Sequence, residues 1–288
     1  MLELEKNLEE TVYRRMLTAG VELSDDVHDA LKMAFEREES ANSGSIVLEN
    51  ILKNLAIAKE KRLPMCQDTG MVLGFVDIGE ELTVSLGVIK GAIERGIERA
   101  YEDGSFRKSV VAEPVFDRDN TKTNLPAVIY FESVPGDTIS VHLLMKGFGS
   151  ENCSGLEMLN PTKGPSGVED AVVSIMGKAG GKPCPPVVVG VGIGGTSDRA
   201  AILSKRALTR KVGTYHQDPR YAGLERSIFD RIQGLGVGAG GLGGIITTLG
   251  VMIESEATHI AGMPVAVSIN CWADRKAEMV FDKKGALQ

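Results

Sequence analysis

Cysteine, aromatic side chains and excess basic charge are all scarce in this sequence, and each shortage closes a functional class. The four cysteines, Cys66, Cys153, Cys184 and Cys271, lie 87, 31 and 87 residues apart with no CxxC pair. A zinc finger or thioredoxin-type site therefore has no support. Aromatic residues make up 5% of the chain, with a single tryptophan, too few for a base-stacking platform. The 32 Lys and Arg against 39 Asp and Glu give a formal charge of −7, opposite to a nucleic-acid footprint. A small anionic substrate stays open, because a pocket's local charge can oppose the global one. The first residues, MLELEKNLEETVYRR, carry acids from Glu3 onward and no apolar core of a signal peptide. A cytoplasmic, membrane-free protein without disulfides is the expectation. The one uncharged run of 20 residues, 234–253, contains eight glycines and two threonines. It reads as a glycine-rich turn feeding a buried strand rather than as a membrane span.

What is present is the balance of a folded globular chain: 288 residues, 43% hydrophobic and 25% charged. Glycine is the outlier, 34 of 288, about 12% against a usual ~7%. The first third predicts helices. Leu8, Val12 and Met16 recur at i+4; Ser24 is placed to cap a helix with Val27, Leu31 and Ala34 on one face; Ser45 is placed to cap another with Val47, Ile51 and Leu55. Met71 to Val76 predicts a strand, and Ile89, Ile93 and Ile97 a helix ending near Asp103-Gly104. Residues 127–131 and 138–144 predict a hairpin around Val134-Pro135-Gly136-Asp137. Ser166 and Glu169 form a capping-box pattern opening a helix through Val172 and Ile175. Val187 to Ile193 predicts a central strand, with a helix from about Asp198 to Leu208 and late strands at 245–253 and 265–269. No repeat or linker divides the chain. The expectation is one mixed α/β domain over residues 1–288, a helical N-terminal third followed by a sheet flanked by helices.

Several loops combine glycine or proline with a small polar residue and a thiol or ionisable group, a mix suited to close backbone approach to a ligand. Three carry a cysteine: PMCQDTG at Cys66, KPCPPVV at Cys184 and NCWADRK at Cys271. Pro64-Met65-Cys66-Gln67-Asp68-Thr69-Gly70 resembles the first signature of the class I fumarases, iron–sulfur hydro-lyases. The likeness continues through residues 146–152, through Cys184-Pro185-Pro186 with Gly192 to Thr196, and through Cys271-Trp272-Ala273-Asp274-Arg275. The blocks keep the family's order across most of the chain. The chain ends soon after the last block, so it resembles the separate alpha subunit of the two-subunit form. The L-tartrate dehydratase alpha subunit belongs to the same family.

The resemblance implies a [4Fe–4S] cluster held by Cys66, Cys184 and Cys271, with one iron left open as a Lewis acid. It places Cys153 off the cluster. It implies substrate contacts from Gln67, Asp68, Arg107, Gly149 and His259, with Asp68 also holding or exchanging a proton. For Asp68 the plain alternative is capping the QDTG turn; for Arg107 it is a solvated surface position, and for His259 a structural role. His28, His142 and His216 take the structural reading. The family's general bases and remaining carboxylate clamps lie on a second domain that this sequence lacks. The implied partner is thus a beta subunit, in an α2β2 heterotetramer, and the implied substrate a small dicarboxylate.

The resulting expectation is a cytoplasmic hydro-lyase of the tricarboxylic acid cycle that hydrates fumarate reversibly to (S)-malate. L-tartrate dehydratase is its alternative within the family. Two other classes remain to be distinguished: a non-catalytic iron–sulfur protein, which would want a fourth ligand such as Cys153, and a nucleotide binder using Gly192 to Thr196. The last lacks the Lys and spacing of a P-loop and the acidic residue of a Rossmann fingerprint.

Overall fold

The protein is described by a computed structural model over residues 2–38 and 42–288. In chain order the helices and strands run α1 (Leu2–Val21), α2 (Asp25–Arg37), α3 (Ser43–Lys61), β1 (Met71–Gly79), α4 (Leu86–Asp103), β2 (Val128–Val134), β3 (Ile139–Lys146) and α5 (Phe148–Glu151). They continue as β4 (Gly155–Leu159), α6 (Gly164–Ala179), β5 (Val187–Gly195), α7 (Ser197–Ala207), α8 (Pro219–Gln233), β6 (Thr248–Thr258), β7 (Met263–Asn270) and β8 (Lys276–Phe281). The fold is mixed α/β, as expected, with its strands in two four-stranded sheets. The chain divides into two compact units. One comprises Met1–Ser24, Asn54–Gly147 and Arg275–Gln288; the other comprises Asp25–Lys53 and Phe148–Asp274. One crossing between units falls inside α3, which accounts for the absence of any linker composition.

In the first unit the strand order is β2-β1-β3-β8. The apolar spacings seen in the sequence become its core: Leu8, Val12 and Met16 of α1 and Ile89, Ile93 and Ile97 of α4 are buried against Val72, Val76 and Val141. Each such side chain contributes about 1.5–3 kcal/mol on leaving water. The expected hairpin is not formed. Strand β1 lies between β2 and β3, parallel to the first and antiparallel to the second. Its residues 72–77 are all buried, which suits an interior position better than either neighbour. The 134–138 connection closes over its end, with Gly79 N donating to Thr138 O and Glu80 N to Val134 O.

In the second unit the order is β4-β7-β5-β6, with β5 interior as expected, parallel to β6 and antiparallel to β7. The VVVGVGIGG sequence of β5 divides by the two-residue period of a strand. Val189, Val191 and Ile193 join the core with α6 and α8. Gly190 and Gly192 face α7, where a Cβ would stand 2.1 Å from Ser204 O and 2.0 Å from Ala200 O. These glycines allow helix backbone to lie directly on the strand, so Gly192 has a packing role and phosphate binding is not needed to explain it. The uncharged run becomes a loop with left-handed φ at six glycines between 236 and 244, then β6. No helix among the described residues is long and apolar enough to cross a membrane.

Three capping assignments change. Ser24 precedes α2, but its Oγ is buried without a hydrogen-bond partner. Asn42 caps α3 instead of Ser45, its Oδ1 accepting from Ser45 N at 2.8 Å. Ser166 lies within α6, its Oγ donating to Lys163 O at 3.1 Å, while Asn160 caps the short 3₁₀ turn that leads in. At α3 and at the turn before α6 an asparagine outcompetes the serine because its side chain reaches a backbone N–H two or three residues ahead.

Candidate active site

Pro64 and Gly70 keep residues 64–70 out of helix and strand, and the loop they bound is held at the carbonyls of Met65, Asp68, Thr69 and Gly70. Met65 N donates to Gly20 O at 3.1 Å and Asn54 Nδ2 to Met65 O at 2.8 Å, holding the residue before Cys66. Asp68 Oδ1 accepts from Gly70 N at 3.0 Å, the turn-capping bond anticipated from QDTG. Gly70 has φ +78°, and a Cβ there would come within 2.6 Å of the Lys146 backbone. Only glycine combines that conformation with that approach. Tyr101 Oη donates to Thr69 O (2.7 Å) or Gly70 O (3.1 Å), and burial pushes its phenol far above the ordinary value, so it remains a neutral donor. Asn124, fully buried, donates from Nδ2 to Gly70 O at 3.0 Å. Thr69 Oγ1 donates to Arg107 O at 2.7 Å, which brings Arg107 beside the loop with an exposed side chain.

The neighbouring Lys146-Gly147 end of β3 shapes the surroundings of Asp68. A Cβ on Gly147 would stand 3.1 Å from Asp68 Oδ2 and 3.9 Å from Arg275 Nη2, so glycine leaves room for both. Arg275 is 1% exposed; its Nη2 donates to Asp68 O at 2.7 Å and Met145 O at 3.3 Å. Cys66 is half-buried and Gln67 exposed.

Cys66 thus belongs to the first unit, and Cys184 and Cys271 to the second. Cys184 has φ +56° and is exposed. For a residue with a Cβ that conformation costs about 1–3 kcal/mol and persists only where its surroundings impose it. They do so here: Cys184 N donates to Gly181 O (3.2 Å), Gly240 N to Pro185 O (2.8 Å), and Gly241 packs directly on Gly181. Cys271 follows β7 immediately, and Trp272 N donates to Cys184 O at 3.3 Å, so these two cysteine loops are adjacent. Gly149, in α5, has open space where a Cβ would be, with Lys182 O 4.0 Å away. Cys153 Sγ donates to Gly149 O at 3.4 Å and packs against the core. His259 lies on the turn after β6, exposed, its Nδ1 accepting from Ala261 N. Among the described residues no hydrogen bond ties it to either cysteine loop.

None of the four cysteines is in a disulfide. Among the described residues no three His, Cys, Asp or Glu side chains gather closely enough for a single metal ion. An iron–sulfur cluster takes each thiolate on a different iron, so its ligands are spaced more widely than those of one ion. Within each unit the donor chemistry suits thiolate ligation: Cys66 stands on a proline- and glycine-bounded loop of the first, and Cys184, in an imposed left-handed conformation, stands beside the Cys271 loop in the second. Bonded to the Asp68 carbonyl is a fully buried guanidinium, Arg275, whose Nε and Nη1 have no hydrogen-bond partner. Arg275, Tyr101 and Asn124 were not among the residues singled out by sequence. Arg275 closes the 271–275 motif, where the sequence gives it no role, and nothing in the sequence pairs the other two with residues 69 and 70.

A sequence profile of the family described as fumarate hydratase (fumerase) matches residues 9–280, a span that includes all three cysteine loops. A Methanocaldococcus jannaschii protein provisionally named L(+)-tartrate dehydratase subunit alpha is 43% identical over 265 residues, covering 90% of this chain and 92% of that protein. The L(+)-tartrate dehydratase subunit alpha of Escherichia coli strain K12 is 33% identical over 262 residues, covering 90% of this chain and 85% of that protein. The protein of the same name from Shigella boydii has the same identity and coverage.

Proposed function

Because the chain belongs to the fumarate hydratase (fumerase) family, we propose that it is the cluster-binding alpha subunit of a cytoplasmic hydro-lyase, active with a separate beta subunit in an α2β2 assembly. The profile match from residue 9 to 280 carries this reading, since one continuous match takes in every cysteine block. In the proposal residues 1–288 act as one catalytic domain, with Cys66, Cys184 and Cys271 as thiolate ligands of a [4Fe–4S] cluster and Cys153 outside the set. When bound, such a cluster supplies a Lewis-acidic iron that polarises a hydroxyl or carboxylate oxygen.

The protein's own side chains supply binding and proton handling. The proposed substrate is fumarate, hydrated reversibly to (S)-malate: water adds across the double bond, hydroxyl to one carbon and proton to the other. The Arg107 guanidinium binds a substrate carboxylate through its planar fork, and its exposure leaves it accessible for that task. Gln67 and the Gly149 backbone contact substrate, and His259 is assigned the same role from its place in the sequence. Asp68 holds or transfers the proton. Its Oδ1 is oriented by Gly70 N, while Oδ2 lies over the side-chain-free Gly147.

The second reading, L-tartrate dehydration, is favoured by the names of the relatives. The chain reconstituted anaerobically with its beta subunit and assayed on fumarate, (S)-malate and L-tartrate separates the two. Turnover of fumarate and malate well above that of tartrate supports the first; turnover of tartrate alone supports the second; turnover of none contradicts both.

A further inference from the structure

We propose that Asn124 and Thr69 are positioning residues that fix the Arg107 segment against the Asp68 turn, and so set where a substrate carboxylate sits relative to the proton-handling group. This deepens the proposed function and rests on the roles given there to Arg107 and Asp68. All the residues involved belong to the first compact unit. Asn124 is fully buried and has φ +63°, a left-handed conformation that asparagine adopts more readily than most residues. Its amide is used at both ends: Nδ2 donates to Gly70 O at 3.0 Å, and Oδ1 accepts from Ser109 N at 2.7 Å. Gly70 O only accepts and Ser109 N only donates, so a single orientation of the amide satisfies both. An ionised aspartate, which only accepts, or an apolar side chain would not.

The two partners of that amide lie on the two functional segments. Gly70 N donates to Asp68 Oδ1 at 3.0 Å while Gly70 O is held by Asn124, so one glycine links the carboxylate to the amide. Ser109 is two residues beyond Arg107, whose own carbonyl accepts from Thr69 Oγ1 at 2.7 Å. Thr69 is 1% exposed. Phe106 and Val110 are buried on either side of residues 107–109 and anchor the ends of that stretch. The bond from Asn120 Nδ2 to Lys108 O, 2.8 Å, stays within the same loop, whereas those of Asn124 and Thr69 cross to the Asp68 turn. Both crossing residues bond backbone atoms and leave the Arg107 guanidinium exposed. Their influence on substrate therefore runs through the position of the Arg107 backbone, and a displacement of about 1 Å is enough to cost ~10²-fold in rate.

The test compares Asn124→Gly, which tolerates the left-handed φ and removes both amide bonds, with Thr69→Val, which keeps the side-chain shape and removes the bond to Arg107 O. Each is made alone and together with Arg107→Lys. Kinetics are measured on the full chain assembled with its beta subunit, using whichever of fumarate and L-tartrate the wild type turns over, and amide hydrogen exchange on the chain itself. The Ser109 amide is expected to exchange faster in Asn124→Gly than in wild type. KM is expected to rise about 5–30-fold in each single variant, the scale of one or two buried hydrogen bonds. Added to Arg107→Lys, either substitution is expected to change KM by no more than about two-fold, because the clamp it positions is already lost. Losses that multiply in full in the double variants would overturn the proposal, as would failure of both single variants to fold, which would make the two residues purely structural. Wild-type KM and wild-type Ser109 exchange in Asn124→Gly, beside a raised KM in Arg107→Lys, would overturn the proposal alone. Wild-type KM in Arg107→Lys would refute the carboxylate-clamp role on which it rests.

Discussion

Replacing Asp68 by asparagine separates the two tasks assigned to one carboxylate. Oδ1 accepts from Gly70 N at 3.0 Å, and an asparagine oxygen accepts the same bond. The turn behind Cys66 is therefore expected to survive, at a cost of about 1 kcal/mol for exchanging a charged acceptor for a neutral one. The amide adds no heavy atom, so the tight fit over Gly147, where a Cβ would already come within 3.1 Å of Oδ2, is not exceeded. Proton transfer is different: an amide does not take up or release a proton in the working pH range. Turnover is expected to fall about 10²–10⁴-fold, equivalent to roughly 3–5 kcal/mol in the barrier. The assay is turnover by the chain with its beta subunit, normalised to iron content and to cluster absorption. A normal cluster with turnover within a few-fold of wild type would leave Asp68 as a turn residue and refute its proton-handling role.

Three further substitutions test other parts of the account. Arg107→Lys is expected to raise KM by an amount equivalent to about 1.5–3 kcal/mol per charged hydrogen bond lost, with cluster content intact; unchanged kinetics would return Arg107 to the solvated surface. Gly192→Ala places a Cβ 2.0 Å from Ala200 O and 2.5 Å from Ser204 N, so α7 must shift. The expected loss is about 1–3 kcal/mol or more, seen as a Tm several degrees lower; an unaltered Tm would contradict the packing described for β5. Burial holds the Glu254 carboxyl above its ordinary pKa, with Arg210 opposing. Its folded pKa thus exceeds its unfolded one, and it lowers stability as pH rises through the interval between them. Glu254→Gln is accordingly expected to be more stable than wild type near neutrality, with the difference closing as the pH falls through that interval. Parallel pH profiles in thermal melts would contradict this.

Much of the architecture follows from local patterns. The i+4 repeats of Leu8, Val12 and Met16 and of Ile89, Ile93 and Ile97 specify α1 and α4 because a helix gathers such residues on one buried face. The continuous apolar run at 187–193 identifies β5. Pairing is less legible. Residues 128–134 and 139–146 carry the signature of a hairpin, yet β1, from more than fifty residues earlier, takes the place between them. Helix α8 had a usable signal, Asp218 at the N-cap and Pro219 in the first turn. The cysteine loops are legible as motifs because glycine and proline leave them few other conformations. The groups that hold the first loop, Tyr101, Asn124 and Arg275, act from 31 to 207 residues away along the chain. No local pattern encodes contacts of that separation.

The central claim, that Cys66, Cys184 and Cys271 hold one cluster and Cys153 does not, is tested most directly by reconstituting four single Cys→Ser variants anaerobically. Iron content and visible absorption are then compared with wild type. The account predicts loss of the cluster signal in Cys66→Ser, Cys184→Ser and Cys271→Ser, and a wild-type signal in Cys153→Ser. Loss of the cluster in Cys153→Ser, or its full retention in any of the other three, would contradict it.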